Sequence, residues 1–212
     1  MMTLYDYLPS QNAWKIRQLL NHLEQPYEQV FISIFEAQGK TEDYLAINPT
    51  GAVPALRTCS GATIAESNAI LVYLAQETEY LPTDTTEQAQ VMQWLFFEAD
   101  YVQASVATLR HWILTAKDQN RSADMLESKR SASLKVLSIL DHRLKSNTYL
   151  CGQNYSIADI SVFAYVHLAQ EAHLPLENYQ YVQRWIDAVK SQPGYLAQVY
   201  PYSIDPHSAN EL

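Results

Sequence analysis

A chain of 212 residues, 48% apolar and with only five glycines, has the make-up of one or two well-packed globular domains rather than a fibrous or disordered chain. Its formal net charge of −9 works against non-specific binding to nucleic acid or to an anionic membrane surface, so any anionic ligand needs local positive potential. Cys59 and Cys151 form no CxxC pair, the six histidines lack ligand spacing, and nothing approaches the about 18 apolar residues of a membrane span or a basic-then-apolar leader. A cytoplasmic protein with neither metal nor bound cofactor is expected.

Residues 3–8 read as a first strand stopped by Pro9. Ser10, Gln11 and Asn12 then open a helix that carries Ile16, Leu19, Leu20 and Leu23 on one face, which places small polar side chains at a helix N-terminus. Gln25-Pro26 ends the helix, and residues 27–34 alternate as a second strand. Strand, helix and strand at this length predict a parallel pair. Gln38, Gly39 and Lys40 lead into a short helix over 42–46.

Residues 48–70, NPTGAVPALRTCSGATIAESNAI, compress a turn, a hairpin and a helix start into little more than twenty positions. Proline cannot donate to a sheet ladder, so Pro54 belongs at a strand start, where the backbone of Val53 stays open to an added strand. Glu66-Ser67-Asn68 precedes Ala69, Ile70, Leu71, Tyr73 and Leu74 at helical spacing, and free amides at a helix start favour a carboxylate. Taken singly, Pro54 shapes a turn and Ser67 caps a helix; their closeness points to a peptide-like ligand.

A polar linker over 81–86 follows, and then only helices. Met92, Leu95, Ala99, Val102, Val106, Leu109 and Ile113 recur at steps of three and four, the seam of a bundle. Trp94, Phe96, Phe97, Tyr101 and Trp112 leave a further aromatic face. A helix over 121–145 carries Leu134, Leu137, Leu140 and Leu144. Ser156 and Asp159 have capping-box spacing, with Tyr155 and Ile160 placed to staple, so Asp159 reads as a helix-nucleating residue rather than a catalytic acid. Residues 181–190 form another helix, and the tail from 200 is polar and reads as loosely held.

The stretches LYDYLPSQNAWKIRQLL, NPTGAVPAL with AESNAILVYLA, and YSIADISVFAYV together resemble the cytosolic glutathione transferases, in particular bacterial and cyanobacterial members with serine at the first helix. The match spans essentially the whole chain. It implies an α/β, thioredoxin-like domain over 1–80 that binds glutathione, an all-helical bundle over 87–212 that shapes the electrophile site, and a homodimer. Carried over position by position, Val53 offers its backbone to the cysteinyl part ahead of a cis Pro54. Glu66 and Ser67 hold the γ-glutamyl end, and Gln38 and Lys40 face the glycine end. Ser10 or Asn12 donates a hydrogen bond to the thiolate. The electrophile pocket falls to Leu8 and Pro9 with Tyr101, Ser105 and Leu109. Tyr5 and Tyr7 lie near a position where other members use tyrosine, but within a strand they read as packing residues. The implied activity is conjugation of glutathione to small hydrophobic electrophiles in detoxification. Peroxide reduction or isomerisation at the same site, and a non-catalytic binding module, are the alternatives.

Overall fold

The computed structural model describes residues 1–210. It forms two compact units, one of Met1–Gln76 with the segment from Pro193 on, the other of Glu77–Gln192. The segment from Pro193 on, assigned from sequence to the helical domain over 87–212, therefore belongs to the first unit. The N-terminal boundary falls at 76 rather than 80.

The first unit is thioredoxin-like. It runs β1 (Met2–Asp6), α1 (Gln11–His22), β2 (Tyr27–Phe31), α2 (Glu42–Leu45), β3 (Ala55–Arg57), β4 (Thr63–Ala65) and α3 (Ser67–Ala75). Strand order is β2-β1-β3-β4, with β1 parallel to β2 and the other pairs antiparallel. A parallel pair needs a crossover, which α1 supplies. One apolar layer is built from Ile16, Leu19 and Leu20 of α1, Ile70 and Leu71 of α3, and Leu4 and Leu56, which face each other across β1 and β3; all are fully buried. A second cluster joins Tyr5, Ile32, Tyr44 and Ala55, with Val30, Ile47 and Val53 packed against it. Tyr5 meets Tyr44 edge-on, with centroids 5.8 Å apart. Burial of each large apolar side chain contributes about 1.5–3 kcal/mol, so both faces of this small sheet hold α1 and the loops around β3 in place.

The second unit is helical. Asp84 caps α4 (Thr85–Phe97) by accepting from the amides of Thr86 and Glu87. The helix continues through a π-helical stretch, Glu98–Ala107, into α5 (Thr108–Leu114). The expected seam holds except at one position: Leu95, Val102, Val106 and Leu109 are buried as predicted, but Ala99 is exposed and Glu98 is buried in its stead. There follow α6 (Ala123–Leu144), α7 (Ile157–Val166) and α8 (Gln180–Lys190). Asp159 completes the predicted capping box with Ser156 at the start of α7. Its carboxylate also accepts from the Leu150 amide and from Trp185 Nε1, each at 2.9 Å. Among the described residues no helix is long and apolar enough to cross a membrane.

Candidate functional site

The chain leaves β1 through Leu8 and Pro9 and enters α1 at Ser10. Arg17 fixes this path: its buried guanidinium pairs with Asp6 at 2.6 Å and donates to the Leu8 carbonyl at 2.9 Å. Ser10 is the N-cap, extended at φ −69° and ψ 121°, and its Oγ accepts from the Ala13 amide at 3.3 Å. That bond occupies a lone pair and leaves the hydroxyl proton available, so Ser10 presents a donor at the positive end of α1. Leu8 is half-buried and Pro9 buried immediately before it.

Asn12, one step into the helix, accepts from Ser67 Oγ at 3.4 Å, and Lys15 Nζ donates to the same Ser67 oxygen at 3.3 Å. Ser67 is the first residue of α3 and is 5% exposed, while Lys15 is fully buried. These contacts bring the N-termini of α1 and α3 together. In a chain of formal charge −9, two helix N-termini and a lysine thus concentrate positive potential in one place. Glu66, just before Ser67, sits at φ 67° and ψ 113°. A non-glycine residue there carries roughly 1–3 kcal/mol of backbone strain, which persists only where the surroundings enforce it.

The Val53–Pro54 peptide is cis. Pairing with β1 and β4 begins at Ala55, and among the described residues no hydrogen bond uses the backbone amide or carbonyl of Val53. The loop before it is firmly held. Tyr44 Oη and Asn48 Nδ2 both donate to the Ala52 carbonyl at 2.7 Å, and the Thr50 amide donates to Asn48 Oδ1. Burial pushes the Tyr44 phenol up to about 12, so it stays a donor at all ordinary pH. Gly51, at φ 70°, lies against Gly39: a Cβ on Gly39 would stand 2.2 Å from the Gly51 carbonyl oxygen. Two glycines are required for the 38–40 turn to meet the loop that leads to Val53.

Gln38 does not project as an isolated polar group. Its Oε1 accepts from the Ser33 amide at 2.8 Å and its Nε2 donates to Glu36 at 2.7 Å. Lys40 is exposed. The first strand stops at Asp6 rather than at the expected residue 8, so Tyr7 lies beyond it, yet Tyr7 is fully buried against Phe31 and Phe35 and Tyr5 lies in the core, both packing as expected. Burial and the nearby Asp205 carboxylate raise the Tyr7 phenol well above its usual range.

In the second unit, Tyr101 is 56% exposed and stacks on Phe97 with centroids 5.2 Å apart. Ser105 is buried, donating its hydroxyl to the Tyr101 carbonyl at 2.5 Å, and Leu109 is buried. Of the three, Tyr101 alone presents a side chain to the surface; it borders a hollow of about 390 Å³ with Trp94, Phe96, Phe97 and Ile139. Cys151 is pushed up to about 11 by burial and by Asp159, so it is a protonated thiol at neutral pH. Cys59 is exposed in the turn between β3 and β4.

Sequence reasoning missed Lys15, Ser33 and the Gly39–Gly51 contact. The helix-facing Ile16, Leu19 and Leu20 hid Lys15, because a lysine between apolar residues reads as the solvent face. The predicted loose tail is another departure: Tyr202 stacks on Tyr7, with centroids 6.3 Å apart, and Asp205 is 1% exposed.

Residues 1–76 match the model of the glutathione S-transferase N-terminal domain and residues 99–193 that of the glutathione S-transferase C-terminal domain. A curated relative from Schizosaccharomyces pombe, glutathione S-transferase 1, is 33% identical over 77% of this chain and 73% of its own. The disulfide-bond oxidoreductase YfcG of Escherichia coli is 28% identical over 92% of each chain. A crystal structure of a glutathione S-transferase from Pseudomonas fluorescens superposes with a TM-score of 0.89 at 34% identity, covering 92% of this chain and 97% of the other.

Proposed function

Because the chain belongs to the glutathione S-transferase family, we propose that it binds glutathione on its first unit and activates the thiol for attack on small hydrophobic electrophiles. The observation that carries this reading is the junction of α1 and α3 through Ser67, Asn12 and Lys15. It provides two adjacent helix N-termini for two anionic groups of one ligand, the cysteinyl thiolate and the γ-glutamyl carboxylate.

A free thiol with a pKa of about 8.5 is only slightly ionised at pH 7, so the chemical task is to favour the thiolate. Ser10 does so by donating its uncommitted proton while the α1 dipole acts in the same sense; it is a hydrogen-bond donor, not a base. The Asn12 carbonyl oxygen accepts from Ser67, and its side-chain amide is the rival donor. Val53 pairs through its free backbone groups with the cysteinyl unit, as an added strand does. Glu66 and Ser67 take the γ-glutamyl amino and carboxylate groups. Lys40 meets the glycine carboxylate, and Gln38 shapes the loop that presents it. Leu8 and Pro9 give the thiol an apolar flank. The thiolate then displaces a leaving group from the electrophile, or adds to it, forming the carbon–sulfur bond. The reaction uses glutathione as co-substrate, belongs to a cytoplasmic setting and involves no nucleic acid or membrane.

The test is thiolate absorbance of bound glutathione across pH in wild type, Ser10→Ala and Asn12→Ala. Ionised bound glutathione near pH 7 in wild type, lost in Ser10→Ala with binding retained, is the expected result. Bound glutathione that stays protonated in wild type overturns the reading.

A second reading draws on the likeness to the Escherichia coli oxidoreductase. The same thiolate can attack one sulfur of a disulfide, expel the other as a thiolate and leave a mixed disulfide that a second glutathione resolves. Turnover of a small disulfide but not of an activated aryl chloride selects it.

The exposed aromatics Phe96 (64%) and Tyr101 (56%) beside Trp94 fit contact with a second copy of the chain. Sedimentation at micromolar concentration should give a dimer; a monomer there rejects this assignment.

A further inference from the structure

The C-terminal segment is tied down at two places on the first unit. Near its start, Gln18 and Asn21 donate to the Gly194 carbonyl, the Leu196 amide donates to Gln18 and Trp14 Nε1 donates to the Leu196 carbonyl. This first anchor fastens the segment along α1. The second anchor falls on the loop that leads to Gln38 and Lys40. Tyr202 stacks on Tyr7 and meets Phe35 edge-on at 5.9 Å, His207 pairs with Glu36, and Asp205 reaches Ser33.

Ser33 is the hub of that loop. Its amide donates to Gln38 Oε1, while its Oγ accepts from the amides of Phe35 and Glu36, each at 3.2 Å. With both lone pairs engaged, the hydroxyl has one remaining direction for its proton, and Asp205 Oδ2 receives it at 2.6 Å. Asp205 Oδ1 accepts in turn from the His207 amide at 3.0 Å. Ser33 is fully buried and Asp205 nearly so, so each would leave the other unsatisfied if removed. At its far end the loop abuts Gly51 through Gly39, two residues before Val53. A displacement at Ser33 is therefore passed to both the Lys40 turn and the Val53 backbone.

We propose that Asp205 is a positioning residue: from the C-terminal segment, through Ser33, it holds the 33–40 loop in the form that accepts the glycine end of glutathione. The inference rests on the glutathione-binding reading above and adds a residue that lies 138 positions beyond Ser67, the last of the glutathione-site residues. It predicts an effect on glutathione recognition rather than on the chemical step.

The experiment compares wild type with Asp205→Ala, Asp205→Asn, Ser33→Ala and the double variant Ser33→Ala with Asp205→Ala. Steady-state kinetics are measured in both substrates, and amide hydrogen exchange in the protein without glutathione. Asp205→Ala is expected to raise KM for glutathione about tenfold with kcat and electrophile KM nearly unchanged, the pattern of lost ground-state binding. Exchange at residues 35–38 should quicken. Asparagine retains an acceptor oxygen and should restore most of the affinity, and the double variant should be no worse than the poorer single one. Wild-type KM and unchanged exchange in Asp205→Ala overturn the proposal, as does an equal fall in kcat for every variant. If wild type fails to bind glutathione by calorimetry, the functional reading itself falls. If wild type binds and Asp205→Ala binds as well, only the positioning role falls.

Discussion

Ser10 and Ser156 are both N-cap serines, and the difference between them separates a working cap from a structural one. Ser156 is closed upon itself: its Oγ accepts from the Ala158 amide and lies 3.2 Å from Asp159 Oδ2, to which it donates. It is buried, and Asp159 also accepts from its backbone amide. Ser10 accepts from the Ala13 amide and is half-buried, with no carboxylate three residues on to take its proton. Residue type and helix position are the same. What decides the role is whether the hydroxyl proton already has an acceptor within the fold.

The largest effect that sharpens this contrast is Asp159→Ala. Four donors, from Leu150, Trp185 and twice from Ser156, converge on a fully buried carboxylate. Their loss should lower unfolding stability by about 3–5 kcal/mol, a value reserved for broken buried networks, as read by denaturant titration. A loss below about 1 kcal/mol would mean the α7 start tolerates an open cap. Next is Ser10→Ala, expected to reduce kcat/KM about 100-fold, in line with removal of one preorganised donor to a developing or stabilised anion. Its stability should fall by only about 1 kcal/mol. If stability drops and turnover does not, Ser10 is a cap like Ser156 and the thiolate donor must be sought at Asn12.

Where the sequence carried a local rule, it was legible. The capping box at 156–159 needs only residue types at fixed spacing, and it appears in the structure as read. The strand–helix–strand start, Pro54 beside an open Val53 and the helix opening at Ser67 follow likewise from local chemistry. What was hidden depends on pairs distant in sequence or on a choice that helical period leaves open. Between Leu95 and Val102 the helical period admits either a step of three or a step of four, and residue type favoured Ala99 where the structure buries Glu98. The segment from Pro193 on is polar and aperiodic, and its docking rests on side-chain bonds to α1 and Ser33 that no local pattern encodes. Gly39 and Gly51 read as ordinary turn glycines; only their mutual approach shows what excludes a side chain.

At the opposite end of α7, His167 tests how burial competes with the helix dipole. A cation at a helix C-terminus is ordinarily favoured, yet burial, with Lys190 and Arg110 adding to it, lowers His167 to about 4. Its ring stacks on Phe163 at 4.2 Å. The folded pKa lies below the unfolded value of 6.5, so between them the unfolded chain binds more protons and stability falls as pH falls. Asp159, raised to about 6 by burial, acts in the reverse sense between about 4 and 6, because there the folded state holds the extra proton. Comparing wild type with His167→Phe cancels the Asp159 contribution. From pH 7 to 5 wild type should lose about 2 kcal/mol relative to the variant; a constant difference across this range would mean that the ring protonates without leaving its site.

The smallest expected effect is that of Ser156→Ala, and it bears most directly on the two caps. Asp159 keeps its bonds from Leu150, Trp185 and the residue 156 amide, so only the Ala158 acceptor and one hydroxyl donor are removed. Stability should fall by about 1 kcal/mol, as for an ordinary N-cap, while thiolate formation by bound glutathione is unchanged. Set beside Ser10→Ala, which should match it in stability and differ in thiolate, the pair isolates the uncommitted proton as the property that makes a capping serine chemically active. An equal loss of thiolate in both variants would instead trace the effect to general loosening of the fold.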